Sequence, residues 1–236
     1  MSYRSRIGLS VFIWLLAISL IPQYTTRAVD FSITAPTANV VADGLCSLIE
    51  AIDNANADAV VHADCPAGAG ADTLTLTANI VLNAVNGIVG NGATGLPAIT
   101  SDITIEGASF GVYRDATAPE FRILAVDAGG NLTLNQIVID GGRLASGFVN
   151  GGGIYTAGTL TITESTVQNN TIAGIFPSGG GIYATNTAVT TLTNTLVQNN
   201  IADNGDPAQV FDFGGGIYNL GALTLTNATV QNNIAA

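Results

Sequence analysis

Apolar and polar residues alternate with period two along most of this chain. "DTLTLTANIVL" (72–82), "DITIEG" (102–107), "FRILAV" (121–126) and "GNLTLNQIVIDGG" (130–142) are short runs of this kind, each bounded by Gly, Asn or Asp. The period, together with the abundance of Thr, Val and Ile, predicts strands with one face buried and one solvated. One stretch departs from it. Around "CSLIEAIDNANADAVVHADC" (46–65), Leu45, Leu48, Ile49, Ile52 and Ala55 recur at helical spacing; Ser47 stands as N-cap with Glu50 three residues on, the two halves of a capping box. A single amphipathic helix ahead of a long strand tract is expected to lie as a lid over an exposed end of the core.

The alternation is itself repeated. Glycine triplets begin at Gly151, Gly179 and Gly214; each is followed by Ile-Tyr (154/155, 182/183, 217/218), and the copies close on Asn169-Asn170, Asn199-Asn200 and Asn232-Asn233. The unit is about 20 residues long, with two extra residues in the middle copy ("TNTAVTTLTN") that predict a bulge or longer turn. The triplets start 28 and then 35 residues apart because the segments after the Asn pairs differ, "TIAGIFPS" against "IADNGDPAQVFDF". A short strand-rich unit with variable inserts at one fixed point predicts one coil of a parallel β-helix, with the inserts projecting from one side. Ile154, Ile182 and Ile217 should then stack along the axis. Leu160 with Leu223, Ile162 with Leu192 and Leu225, and Val167 with Val197 and Val230 should do the same. The glycines fit a corner needing φ > 0, and Asn170, Asn200 and Asn233 fit a ladder of hydrogen bonds between coils. The domain reading is therefore 29–71 as an N-terminal cap and 72–236 as solenoid.

Residues 1–28 read as a signal peptide: "MSYRSR" is a basic start, "IGLSVFIWLLAISLI" an apolar core, and Thr26 and Ala28 are small residues at the cleavage positions. Its removal leaves Arg114, Arg122 and Arg143 against all 17 carboxylates, a formal charge of -14. Nucleic acid is a poor partner for such a chain, and no membrane span is expected in the mature part. Cys46 and Cys65 are the only cysteines, and in an exported chain they predict a disulfide.

Candidate chemistry is sparse. Over 129–236 the acids are Asp140, Glu164, Asp203, Asp206 and Asp212, and Arg143 is the sole base, which does not make the calcium-and-base or multi-Asp constellation of a polysaccharide lyase or hydrolase. No cofactor is expected. Asp203, Asp206 and Asp212, with Asn204, could supply oxygen ligands for calcium, although their spacing matches neither the EF-hand nor the nonapeptide loop. A solvated acidic loop is the simpler reading. Phe211 and Phe213 beside it are a candidate contact patch or loop packing. Tyr155, Tyr183 and Tyr218 should point outward, as a stripe for sugars or a partner surface or as a self-stabilising aromatic ladder. Arg114 and Arg122 lie close in sequence to Asp115 and Glu120 and are expected to pair with them locally.

"CSLIEAI", followed by "NAN" and a second Cys, resembles the N-terminal CSLREA domain of exported bacterial surface proteins, with Ile49 where that family usually has Arg. "LPAITSDITIEG", "FRILAV" and "GNLTLNQIVIDGG" look like the stretch that follows it. The GGGIY and VQNN units are similar to the GG[AIVL] and FxxN repeats of polymorphic outer-membrane proteins, with Val in place of Phe. The resemblance implies a right-handed, single-stranded parallel β-helix on a cell surface, all-β apart from the short capping helix, and offers no catalytic residues. It makes an extracellular or cell-surface structural or adhesive role the leading expectation, with an extracellular glycan or cell-surface partner; a carbohydrate-active enzyme and a passive spacer are the alternatives. The chain stops at "QNNIAA" without a cap, so a truncated solenoid able to associate end to end is expected.

Overall fold

The computed structural model describes residues 28–36, 38–206 and 211–236; the expected signal segment therefore lies outside the described residues except for Ala28. The alternating runs become strands, and every strand pairing outside one hairpin is parallel, each strand lying beside its equivalent in the next coil. The result is an all-β parallel solenoid carrying one short helix. Its longest sheet has seven strands and runs in chain order from Asp30–Ile33 and Ala71–Leu76 to Val189–Thr193 and Ala222–Thr226. A six-stranded sheet follows it around each coil, and two four-stranded sheets close the coils of the repeat region. The exception is an antiparallel hairpin, Gly87–Val89 with Gly92–Thr94.

Register explains the core. Phe31, Leu74, Ile105, Leu134, Ile162, Leu192 and Leu225 form one inward column of the long sheet. Ile154, Ile182 and Ile217 form another, and Val167, Val197 and Val230 a third, as the repeats predict. Each coil by itself buries little, and stacking makes the apolar columns continuous. The expected Leu160 and Leu223 do share a column, but Thr190 stands between them, and its Oγ1 is buried without a hydrogen-bond partner. The four-residue turn that precedes its strand, against two residues in the other copies, accommodates the two extra residues of the middle copy. At the coil ending at Ala236, Leu225 and Val230 lie in inward columns yet are exposed, since Leu192 and Val197 cover one side of them and no described residue covers the other.

The helix α1 (Leu48–Ala57) has the capping box foreseen: Ser47 Oγ accepts from the Glu50 N–H, and the Glu50 carboxylate accepts from the Ser47 N–H at 3.0 Å. Leu48, Ile49, Ile52 and Ala55 are buried. Leu45 is not part of that face; it precedes the N-cap, so the helical period does not carry it inward, and it is exposed. The Cys46–Cys65 disulfide ties the start of the helix to the loop after it. Buried Asn54 holds that loop further, accepting from the N–H groups of Val61 and His62 and donating to main-chain carbonyls that include Pro66. The segment expected to be only a cap also supplies the first strand, since Asp30–Ile33 pairs with Ala71–Leu76 across the helix in sequence. No helix among the described residues is long and apolar enough to cross a membrane.

Candidate functional site

The glycine triplets place the inserts. Gly151, Gly179 and Gly214 have φ of 71°, 71° and 59°, the left-handed conformation that a corner here requires. The next glycine of each triplet packs against backbone: a Cβ on Gly152 would sit 2.5 Å from the Gly180 carbonyl oxygen, and one on Gly180 2.3 Å from that of Gly215. Main-chain hydrogen bonds from Gly152 to Gly179 and from Gly153 to Gly180 join the triplets coil to coil. The corner is thus fixed in position, and whatever precedes it in each coil is presented at the same place.

Two aromatic columns flank that corner. Tyr155, Tyr183 and Tyr218 are in register, with ring centroids 5.6 and 5.5 Å apart and nearly parallel planes. Phe213 continues the column at 5.8 Å from Tyr218, and the Arg122 guanidinium stands over the Tyr155 ring at 5.0 Å. The hairpin covers this end, where a Cβ on Gly90 would meet the Tyr155 ring at 2.6 Å. The ring faces are therefore turned on one another and their edges are half-buried. Burial, and next the neighbouring tyrosines, push the Tyr183 hydroxyl pKa up.

The second column lies on the inserts. Phe148, Phe176 and Phe211 follow one another at 6.2 and 5.5 Å between centroids, and they are 64%, 43% and 50% exposed. Ile175 is exposed beside them, and a groove of about 190 Å³ lined by Gly147, Gly174, Ile175 and Asn204 opens next to the column. The sequence reading singled out Phe211 and Phe213 but not Phe148 and Phe176. The signal was present: "FVNGGG", "FPSGGG" and "FDFGGG" each place Phe three residues before a triplet. Measuring forward from the Asn pairs hides that fixed offset, because no Asn pair precedes the Phe148 insert and the Phe211 insert is longer than the Phe176 one.

Asn170 and Asn200, which precede the inserts carrying Phe176 and Phe211, form the expected ladder with Asn233 inside the solenoid. Asn200 Oδ1 accepts from both the main-chain and side-chain N–H groups of Asn170 at 3.0 Å, and Asn233 Oδ1 does the same for Asn200 at 2.9 Å. The partner Asn of each pair, at 169, 199 and 232, takes the left-handed conformation. These asparagines are architecture.

The charged groups are arranged differently from the sequence expectation. Arg122 pairs with no carboxylate; it is fully buried and donates to main-chain carbonyls of Gly151, Asn150, Val89 and Gly92. Burial lowers its pKa to about 10, so the guanidinium stays charged at neutral pH while clamping the hairpin to the first triplet. Arg114 donates to the carbonyls of Pro119 and Ala118. The one arginine ion pair among the described residues joins Arg143 to Glu120 at 3.1 Å on the surface. Asp140 accepts from Gln168 and Asn169, not from Arg143. In the acidic insert, Asp212 accepts from the Asn204 N–H at 3.2 Å and Asp203 from the Gly205 N–H at 2.7 Å; burial, ahead of the nearby Asp203 charge, raises the Asp212 pKa. Asp203, Asp206 and Asp212 do not converge: no group of three or more metal-ligating side chains occurs among the described residues.

No family profile, curated protein or solved structure matches this chain.

Proposed function

We propose that this chain is an exported, non-catalytic adhesive β-solenoid of the extracellular space or cell surface, and that its contact surface is the insert face built on Phe148, Phe176 and Phe211. The resemblance to exported bacterial surface proteins, the leader-like start and the disulfide support the location. The observation that carries the contact role is the repetition of an exposed Phe on three inserts of different composition. An exposed apolar column beside a groove favours a partner with an apolar face of its own, such as the ring faces of a glycan. Tyr155, Tyr183 and Tyr218 serve this surface as a stacked support.

The test is a glycan-array and polysaccharide-cleavage screen of the chain from Val29, with and without calcium, beside a variant carrying Phe148→Ala, Phe176→Ala and Phe211→Ala. Binding without cleavage, lost in the triple variant, is the expected result. Release of reducing or unsaturated ends would make the chain a carbohydrate-active enzyme, and silence in both assays would make it a spacer.

A further inference from the structure

The outward face of the long sheet holds a two-dimensional array of hydroxyls that neither the core nor the insert face uses. Thr73, Thr104, Thr133, Thr161, Thr191 and Thr224 lie in one unbroken column, one residue per strand. Two residues along each strand runs a second column, Thr75, Glu106, Asn135, Thr163, Thr193 and Thr226. The last three strands therefore carry complete Thr-x-Thr pairs.

These hydroxyls differ from the polar groups on the neighbouring six-stranded sheet. There Gln231 donates to Gln198, Gln198 to Gln168 and Gln168 to Asp140, so the outward amides are bonded to one another. Among the described residues, none of the Thr hydroxyls of the two columns has a hydrogen bond to a protein group. One column of hydroxyls and methyls is unbroken and the second is interrupted only by the bonded pair Asn135 and Glu106. The face thus offers solvent a regular grid of hydroxyls that bulk water satisfies without order and a regular water lattice could meet all at once.

Strand pairing sets the spacing of the array at about 4.8 Å between strands and about 6.7 Å between alternate residues of one strand. Water molecules joined tetrahedrally at about 2.75 Å have second neighbours about 4.5 Å apart and, in the hexagonal lattice, an axial repeat of about 7.3 Å. The two lattices differ by less than about a tenth in each direction, so across three strands the hydroxyls drift from the water sites by only about 0.6 Å.

We infer that this threonine face binds an ordered water lattice, that is, the surface of ice. Each hydroxyl contributes one weak contact, and a rigid array makes many at once, which is what slows release from a crystal face. The inference is independent of the insert face and does not rest on its partner.

The experiment measures the gap between the melting and freezing points of a seed ice crystal, and the crystal's shape, in solutions of the chain from Val29. Shaped crystals with a freezing gap are expected. Thr191→Tyr, in the middle of the array, should reduce the gap about tenfold while circular dichroism and thermal unfolding stay unchanged, because simultaneous contact is lost across several strands. Gln198→Tyr on the adjacent sheet should leave the gap intact. Should Thr191→Tyr unfold the chain, the pair Thr191→Val and Thr193→Val keeps the β-branched packing, removes two hydroxyls and should still narrow the gap. An unshaped crystal, a folded Thr191→Tyr variant as active as the parent, or retention on crystalline cellulose or chitin without any effect on ice would overturn the inference.

Discussion

The asparagine corner and the phenylalanine inserts both repeat in three coils, and they repeat for different reasons. Asn170 and Asn200 are fully buried, and each is bonded to the equivalent residue of the next coil. Phe148, Phe176 and Phe211 are exposed, sit on inserts of different composition, the Phe211 insert being the longest, and touch one another through ring edges and tilted faces. A repeated polar residue that is buried and bonded to its own copies and to the main chain around them belongs to the stacking of the solenoid. A repeated apolar residue that stacking leaves in water points outward, to a partner.

The largest effect that separates the two regions is expected at Asn200. Asn200→Ala removes the acceptor for two N–H groups of Asn170, the donor to the Val167 carbonyl and the partner of Asn233. Each buried group left without a partner costs about 1 to 3 kcal/mol, so the variant should lose about 4 kcal/mol in urea unfolding followed by circular dichroism. A loss below about 1 kcal/mol would mean that water replaces the ladder, and the corner would no longer be the structural half of the comparison.

A smaller effect, of opposite sign, is expected within the core. Thr190 occupies an inward position between Leu160 and Leu223, and its hydroxyl is buried and unbonded. Thr190→Val keeps the shape and removes the unsatisfied group, and should raise stability by about 1 kcal/mol in the same unfolding measurement. This site also shows how far the sequence could be read. Coil length, inward columns and the asparagine ladder were legible because each is written in side chains that recur at equal offsets. Thr190 was not: the longer turn of the middle copy displaces its alignment by two residues. Arg122 was not either, because its partners are main-chain carbonyls, brought to the glycine corner by a hairpin that no side-chain pattern announces. Within the candidate site, the stacking of the tyrosines followed from their register. Phe148 and Phe176 stayed hidden because no asparagine pair precedes the Phe148 insert and the Phe211 insert is longer than the Phe176 one, so the three align from the triplet that follows them and not from the asparagines.

The smallest stability effect is expected on the insert face itself. Phe176 touches both Phe148 and Phe211, and a well-packed aromatic pair is worth about 0.5 to 1.5 kcal/mol beyond its burial. All three rings keep much of their surface in water, however, so little apolar area returns to solvent when one is removed. Phe176→Ala should therefore change unfolding stability by no more than about 0.5 kcal/mol, the usual range for surface positions. A loss above about 2 kcal/mol would show that the column holds the inserts together and is architecture like the asparagines. A near-neutral change leaves the exposed rings without a structural reason to recur, and a partner surface is then the remaining physical cause for keeping a Phe at the same corner of each coil.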